Sequence, residues 1–279
     1  MNSNLGIAKH YSRGELLSRL RAALQDDGAD PDHPTMDALA PYDQFHGRGV
    51  EATRDALELM PACASDSILD IGSGLGGPAR SVADRFGCTV TGIDLMPEFC
   101  EVARHLSRLL DFDKRTVFEV ADATSMPFEA GSFDGAYSMN VSMNIPAKAA
   151  FYGEVHRVLK PGAWLVLSEI ARGKGPDVDY PTAWAASSES SFLCTPDETV
   201  LGLKAAGFEV ISVQSTLEEM LAFGARSREL VQRGEKPPHR AVMLVHAENA
   251  AAAMKNTSRG FAEGRILPIE LVARRRSRP

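Results

Sequence analysis

Two aspartates flank a glycine-rich segment with the spacing of a nucleotide-binding turn. Asp70 precedes Gly72-Ser73-Gly74-Leu75-Gly76-Gly77, and Asp94 follows after a helix-like stretch and an apolar run. Glycines allow positive φ and let a backbone turn approach a ligand closely, and the first N–H groups of the following helix are available to bind it. A carboxylate at the end of the next strand can accept both hydroxyls of a ribose. The spacing therefore predicts a site for a nucleoside-containing ligand.

These residues meet only if the surrounding elements alternate correctly, and the hydrophobic pattern predicts that they do. Around the turn it predicts a strand at 67–71, a helix at 78–86 and a strand at 88–93, which is the order of a βαβ unit. Five more strands are predicted at 116–120, 133–139, 163–170, 208–215 and 266–274, with helices at 14–24, 50–60, 147–159 and 196–206. The fifth strand is apolar almost throughout, as a strand covered on both faces should be. The alternation predicts an α/β fold.

The acidic residues favour one of two ligands. The glycines also fit the dinucleotide pattern, and Asp94 lies near the spacing expected for NAD. Asp70, however, would repel a pyrophosphate but not the cationic methionine moiety of S-adenosylmethionine (SAM). The third strand ends in Asp122-Ala123, which offers a second acid for the adenine end, and no second glycine-rich half follows for a nicotinamide nucleotide. SAM is therefore the expected cofactor, with S-adenosylhomocysteine as its product.

Several motifs resemble those of one enzyme family. The glycine turn resembles motif I of the class I SAM-dependent methyltransferases (methyltransferase type 11), and so do the stretches at 126–134 (MPF followed by GSFD) and 154–162 (EVHRVLKPG). The segments YDQFH at 42–46, GSGLGGPAR at 72–80 and VSMNI at 141–145 resemble the subgroup of glycine, sarcosine and dimethylglycine N-methyltransferases. The resemblance implies a Rossmann-like class I methyltransferase fold, with a seven-stranded, mostly parallel sheet and a helical cap.

The resemblance also implies which residues hold the cofactor. The methionine end would lie over the glycine turn, the ribose on Asp94 and the adenine at Asp122, while Tyr42 and Gln44 would face SAM from the cap. The expected cofactor-binding residues are Tyr42, Gln44, Asp70, Gly72, Ser73, Gly74, Gly76, Asp94, Leu95, Asp122, Ala123, Asn140 and Val141.

Three residues are candidates for catalysis near the transferred methyl group. Glu169, at the end of the fifth strand, is the first candidate for a base or an amine-binding anion, although a salt bridge with Arg172 would explain it equally well. His46 is either a catalyst or a packed cap histidine, and Tyr11 lies in the N-terminal cap. Trp184 and Phe192 are expected either to form an aromatic wall for the acceptor or to pack within the cap.

The 279 residues suffice for one large domain or a domain with a cap. The predicted division is an N-terminal helical cap at 1–60 and a SAM-binding domain at 61–279. Two segments interrupt the strand–helix alternation, at about 171–195 and 216–263, and are expected to be cap insertions. Since ligands of open α/β sheets lie at the carboxyl ends of the strands, such a cap can close over a small acceptor and exclude water.

Charge and cysteine usage restrict the partners. The chain has 30 basic and 37 acidic residues, a net charge of −7, which argues against a nucleic-acid or anionic-membrane surface. We expect neither a membrane span nor a signal peptide. No CxxC spacing occurs among Cys63, Cys88, Cys100 and Cys194, and no His/Asp/Glu constellation has metal-ligand spacing. The expectation is a cytoplasmic protein without a metal; its oligomeric state is left open, with a homo-oligomer as one of the alternatives.

The leading functional hypothesis is methyl transfer to a small molecule, with an amine such as sarcosine or dimethylglycine as the preferred acceptor. C- or O-methylation of a natural product, prenyl chain or quinone-like ring is the close alternative. Two other classes remain: a SAM-binding protein without methyl transfer, and an NAD-dependent dehydrogenase, in which Asp70 and Asp122 would have no role.

Overall fold

The computed structural model describes residues 15–246 and 249–277, and within these ranges the chain forms a seven-stranded sheet. The strands are β1 (Ser67–Ile71), β2 (Thr89–Asp94), β3 (Thr116–Val120), β4 (Phe133–Met139), β5 (Leu159–Arg172), β6 (Phe208–Ser215) and β7 (Ile266–Arg275). Their order across the sheet is β3-β2-β1-β4-β5-β7-β6. Strands β1 to β5 pair in parallel, and β7 is antiparallel to both β5 and β6. The expected seven-stranded, mostly parallel α/β sheet is confirmed.

Helices connect the strands and form the segments beyond them. They are α1 (Leu16–Asp26), α2 (Met36–Asp43), α3 (Val50–Leu59), α4 (Gly77–Phe86), α5 (Pro97–Leu109), α6 (Lys148–Val158), α7 (Pro196–Ala205), α8 (Leu217–Gln232), α9 (Ala241–His246) and α10 (Ala250–Ala262). Among the described residues, no helix is both long and apolar enough to cross a membrane.

The core lies on both faces of the sheet, which explains the apolar runs in its strands. Neighbouring residues of one strand enter different clusters: Leu69 packs with Phe151 and the α6 side, whereas Ile68 packs with Ala79 and the α4 side. Successive side chains of a strand point to opposite faces. A strand buried on both faces therefore shows no alternation of polar and apolar residues. This packing fixes the direction of the strand ends that carry the polar site.

Two helices were not predicted, for different reasons. Helix α2 contains Pro41, which interrupts the helical pattern, yet Thr35 caps its start by accepting from the Ala38 N–H at 3.1 Å. Helix α5 begins with Pro97 at its first position and buries Val102 and Leu106 on one face, signals that are present in the sequence. Strand β5 also starts earlier than predicted, at Leu159 instead of residue 163.

A buried ion pair holds α2 against the glycine turn. Arg80 of α4 is fully buried, and its Nη2 donates to Oδ2 of Asp43 at 2.8 Å and to the Leu75 carbonyl at 2.9 Å. Its Nη1 donates to Oγ of Ser107 at 3.2 Å. The guanidinium therefore joins the end of α2, the turn and α5, which are far apart in sequence.

The segments that interrupt the alternation pack around the carboxyl ends of the strands. Leu244 and Val245 of α9 join a cluster with Leu20 of α1 and Leu39 of α2. Phe261 of α10 packs in another cluster with Trp184, Met143 and Ile170. The cavity described below lies between these clusters and the strand ends.

Candidate active site

A cavity of about 960 Å³ lies over the carboxyl ends of β1, β2, β4 and β5. This volume is at the upper end of the roughly 300–1,000 Å³ typical of small-molecule sites. Asp70, Asp94, Met139 and Ile170 line it from the sheet, and residues of α8 and α10 line it from the opposite side. Its position is the one at which open α/β sheets bind ligands.

The glycine turn forms a cradle at one end of this cavity. The N–H groups of Gly72 and Ser73 both donate to the Ile93 carbonyl, at 2.8 and 2.9 Å, and hold the turn to β2. Gly74 has φ +52° and lines the cavity, and a Cβ built on it would meet no atom within 4 Å. Gly72, at φ +77°, has no such space, since a Cβ there would lie 2.2 Å from Val141. Gly74 is therefore the position at which the backbone leaves room for a ligand.

Asp94 links the turn to the start of α5. Its Oδ2 accepts from the Gly74 N–H and its Oδ1 from the Met96 N–H, both at 2.9 Å. Burial raises the pKa of this carboxyl, and these hydrogen bonds act in the opposite direction. A carboxylate has about four lone-pair positions, so Asp94 retains capacity for two ribose hydroxyls.

Asp70 is a buried acid with an unused oxygen. Burial raises the pKa of the carboxyl to about 7, against the opposing effect of the neighbouring Tyr137 hydroxyl, and Oδ2 has no hydrogen-bond partner among the described residues. A buried polar atom without a partner is costly in free energy, and a ligand ammonium group would remove that cost. Asp70 therefore fits the cationic methionine end of SAM.

The ends of β2 and β3 form the other wall of the cradle. Leu95, Asp122 and Ala123 all line the cavity, and Oδ1 of Asp122 is fixed by the N–H and the hydroxyl of Thr124, at 2.8 and 2.7 Å. The predicted cofactor-binding residues that line the cavity are Asp70, Gly72, Ser73, Gly74, Asp94, Leu95, Asp122, Ala123, Asn140 and Val141. The structure thus brings together most of the residues chosen from the sequence.

Three expected SAM contacts lie elsewhere. Tyr42 does not line the cavity, because its hydroxyl donates to Oδ2 of Asp27 at 2.7 Å and accepts from Nε of Arg240 at 3.1 Å. Gly76 packs against the Phe118 ring, which a Cβ there would meet at 2.6 Å. Gln44 lies behind the cavity wall, as described below. Tyr11 is outside the described residues.

Glu169, expected as a base or an amine-binding anion, is not among the residues that line the cavity. Its carboxylate oxygens accept from the Ser142 N–H at 3.1 and 3.2 Å, and burial raises its pKa to about 7. The alternative pairing with Arg172 is absent too, since that guanidinium lies 3.8 Å from Asp177. Lys148 reinforces the same turn by donating to the Ile145 carbonyl at 2.8 Å. Glu169 is a positioning residue for the turn after β4.

The role of Glu169 predicts a pH effect on stability. Its pKa is higher in the folded chain than the ordinary value of 4.5, so the folded state binds more protons between about pH 4.5 and 7, and its stability falls as the pH rises through that range. Glu169→Gln should remove this loss of folding stability, which is roughly 3 kcal/mol once the carboxyl is ionised in both the folded and the unfolded chain. Urea unfolding at pH 5 and pH 8 measures the difference in unfolding free energy between the two pH values, and the exposed Glu189→Gln is the control. Identical pH profiles in wild type and Glu169→Gln would contradict this role.

The turn at residues 44–49 forms the cap side of the site. His46 lines the cavity, and burial lowers its pKa to about 3, so its imidazole is neutral. Asn140, in the left-handed region at φ +58°, joins this turn to β4: with its amide oriented to satisfy both partners, it donates to the Ser168 carbonyl at 3.2 Å and accepts from the Gly47 N–H at 3.1 Å. Such backbone strain concentrates at functional sites.

The remainder of the cap wall is largely apolar. Trp184 lines the cavity, and its Nε1 donates to Oγ of Ser191 at 2.9 Å. Phe192 does not line it; its N–H donates to the Met143 carbonyl, and its carbonyl accepts from Nζ of Lys148. His239, for which no motif or spacing indicated a role, also lines the cavity. Within the described part of the chain, no three His, Cys, Asp or Glu side chains converge to hold a metal ion.

Known proteins share both the sequence motifs and the architecture. The family model described as a methyltransferase domain matches residues 69–167. The chain is 34% identical to 24-methylenesterol C-methyltransferase 2 of Oryza sativa subsp. japonica over 58% of its length and 47% of the relative's. It is 32% identical to methyltransferase GfsG of Streptomyces halstedii over 62% of its length and 60% of the relative's. The chain thus spans about half to three fifths of these curated relatives.

The solved structure of the [4+2]-cyclase SpnF has the same fold. It superposes with a TM-score of 0.70 at 21% identity and covers 94% of this chain and 95% of its own. At that identity the likeness concerns the fold alone. The matched domain and the strand order together confirm the expected class I architecture.

Proposed function

We propose that the chain transfers the methyl group of SAM to a small, largely apolar acceptor, because residues 69–167 match the methyltransferase domain model and the sheet has the class I strand order. One observation carries this proposal: a continuous cavity joins the polar strand ends to an apolar cap wall. A nucleoside-binding cradle and an acceptor compartment that share one space are what a two-substrate transfer requires.

In this proposal, the cradle holds SAM along the strand ends. The methionine end lies over Gly72 to Gly76 with its ammonium group at Asp70, the ribose lies on Asp94, and the adenine lies at Asp122 and Ala123. The open space at Gly74 and the unused oxygen of Asp70 support this placement. NAD would place a pyrophosphate beside Asp70, where the two anionic groups would repel each other.

SAM supplies a methyl group attached to a sulfonium, which an in-line nucleophile can displace. The chain itself has little covalent chemistry to perform: it must align the nucleophile with the methyl carbon and exclude water. Such alignment can contribute roughly 7–11 kcal/mol of the barrier. The cap helices α8 and α10, which face the strand ends across the cavity, perform the exclusion.

The lining away from the cradle favours an apolar acceptor over sarcosine. Its apolar side chains are Met143 and Ile170 on the sheet side and Trp184, Met220, Val242 and Phe261 on the cap side, where Arg228 and Lys255 also line the cavity. The carboxylates among the described lining residues are Asp43, which is paired with Arg80, and three acids at the strand ends. A small amine would therefore find no anion on the acceptor side, so the lining supports the alternative of C- or O-methylation of a natural product, prenyl chain or quinone-like ring.

A SAM-binding protein without methyl transfer is the second candidate. The structural neighbour SpnF is described as a [4+2]-cyclase, and a shared fold does not decide the reaction. Labelled SAM distinguishes the two candidates when it is incubated with sarcosine, a sterol, a prenyl alcohol and a hydroquinone. We expect labelled product from the apolar acceptors; SAM binding without transfer to any of them would favour the second candidate.

Asp94 provides the sharpest test of the cofactor itself. A charge-assisted hydrogen bond is worth roughly 1.5–3 kcal/mol, so Asp94→Ala should weaken SAM binding by about one to two orders of magnitude. Calorimetry measures the dissociation constant of SAM for each variant, and a parallel titration with NAD tests the competing ligand. The control is Asp113→Ala, an exposed acid before β3 at the opposite end of the sheet. An unchanged dissociation constant in Asp94→Ala would contradict the ribose assignment.

A further inference from the structure

Two histidines on the cap side of the cavity have no role in holding SAM. His46, in the turn at 44–49, and His239, before α9, both line the cavity. Burial lowers the pKa of His46 to about 3 and that of His239 to about 4, so both imidazoles are neutral. A neutral imidazole has one donor and one acceptor nitrogen, and the surroundings of each ring decide which is which.

The hydrogen atom of His46 resides on Nε2. This nitrogen lies 3.0 Å from the Gly49 carbonyl oxygen, which can only accept. It also lies 3.0 Å from Oγ1 of Thr53, whose own hydrogen is donated to Oε1 of Gln44 at 2.6 Å. Both neighbours therefore accept from Nε2–H, and Nδ1 of His46 carries a lone pair.

The same argument applies to His239. Its Nε2 lies 3.0 Å from the backbone carbonyl oxygen of Gln44 and donates to it, which leaves Nδ1 unprotonated. Gln44 thus orients both rings, one through Thr53 and the other through its own carbonyl group. This buried glutamine, expected from the sequence to contact SAM, is instead a positioning residue for the pair.

The histidine turn also adjoins the strand ends. The Gly47 N–H bonds to the side chain of Asn140 at the end of β4, so His46 lies next to the part of the sheet where the methyl group of SAM would emerge. His239 packs against the same turn, its ring 3.1 Å from where a Cβ of Gly49 would lie. The pair therefore borders the space between cofactor and acceptor.

From this geometry we infer that the acceptor is a hydroxylated, otherwise apolar molecule, whose oxygen is methylated and whose hydroxyl proton passes to Nδ1 of His46. This inference rests on the proposed function and selects oxygen among its possible nucleophiles. The acceptor oxygen bonds to the methyl carbon while the carbon–sulfur bond breaks and its electron pair returns to sulfur. A second hydroxyl of the acceptor donates to Nδ1 of His239, which holds the acceptor beside His46.

Charge balance explains how so weak a base can act. A neutral hydroxyl is a poor nucleophile and needs a proton acceptor, whereas a neutral amine needs none. The sulfonium loses its positive charge in the same step in which an imidazolium forms, so the net charge of the closed cavity does not change. Burial of the ring disfavours the imidazolium, but the reaction replaces one cation in the cavity with another.

The tautomers are tested first on the free protein. Nitrogen-15 NMR of histidine-labelled chain, assigned with His46→Gln and His239→Gln, should show both Nδ1 atoms unprotonated between pH 6 and 8. Glutamine places its amide near the position of Nε2 and so retains the donor to the backbone carbonyl. A protonated Nδ1 on either ring would overturn the inference.

The second test uses 2-naphthol, an apolar probe with one hydroxyl group, on protein saturated with S-adenosylhomocysteine. It should bind about tenfold more tightly than naphthalene, and His46→Gln should reduce this preference. In the transfer assay with SAM and 2-naphthol, His46→Gln should lower turnover by roughly 10²–10⁴-fold with SAM affinity unchanged. The exposed His33→Gln is the control.

The outcomes separate this inference from the proposed function. Equal affinity for naphthol and naphthalene, or equal turnover in wild type and His46→Gln, would overturn the hydroxyl assignment while SAM binding remains. If SAM itself does not bind in calorimetry, the proposed function fails regardless of the tautomers.

Discussion

Replacing Gly74 with valine should abolish SAM binding while the fold is retained. Gly74 lines the cavity, and its Cβ position is open, with no protein atom within 4 Å. In the proposed complex this space belongs to the cofactor, so a branched side chain there excludes the ligand without a clash in the free protein. Calorimetry with SAM should show a loss of affinity of roughly 100-fold or more, or about 2.7 kcal/mol.

Backbone strain is the competing explanation, and Gly131 controls for it. Gly74 has φ +52° and Gly131 has φ +71°, both in the left-handed region that a β-branched residue adopts only at a cost. A Cβ on Gly131 also meets no atom within 4 Å, but this turn before β4 does not line the cavity. Gly131→Val should therefore lose similar stability and bind SAM normally. If Gly74→Val bound SAM as tightly as Gly131→Val and the wild type do, the turn would not contact the cofactor.

Removing the carboxylate of Asp43 should produce the largest loss of stability. Arg80 is fully buried, and Asp43 is the acid paired with it. Breaking a buried pair leaves an uncompensated charge and typically costs about 3–5 kcal/mol, so Asp43→Asn should lower the free energy of unfolding in urea by about that amount. The end of α2 would also lose its link to the glycine turn, and SAM affinity should fall with it.

An exposed pair gives the matched control. Arg21 and Asp32 lie 2.9 Å apart, but the Asp32 side chain is 66% exposed, and such surface pairs contribute about 0–1 kcal/mol. Asp32→Asn should therefore change little. Replacing both buried partners, as in Asp43→Leu with Arg80→Met, should recover much of the stability, because no unpaired charge remains. A loss in Asp43→Asn no greater than that in Asp32→Asn would contradict the account.

Local patterns predicted the sheet well. The bounds of β1, β3, β4 and β6 agree with those read from the sequence, because a strand buried on both faces is a continuous apolar run between turn residues. The residues of the proposed cofactor cradle could be located in the same way, since its glycines and acids lie at or near the ends of β1, β2 and β3. Parallel pairing then brings the ends of β1, β2 and β3 to one edge without further information.

The cap could not be predicted in this way. Glu169 follows an apolar run, as expected for a catalytic acid at a strand end, yet its carboxylate bonds to the Ser142 N–H. Tyr42 and Gln44 lie in a motif of the resembled subgroup, yet Tyr42 bonds to Asp27, and Gln44 bonds to Thr53 and His239. Each of these roles depends on a partner from a different element, and no periodicity or spacing within the chain encodes such a pairing.

The sequence by itself therefore determined the α/β class and placed the glycine turn and the acids of the proposed cradle at the strand ends, because short-range order and burial of strands decide them. The tertiary structure alone decided which cap residues face the cavity, and it brought His239 within reach of His46 although 193 positions separate them in the chain. The physical reason is that a side chain's direction in the cap follows from long-range packing and hydrogen bonds. Those contacts form only once α1, α2 and α9 have docked together beside the strand ends.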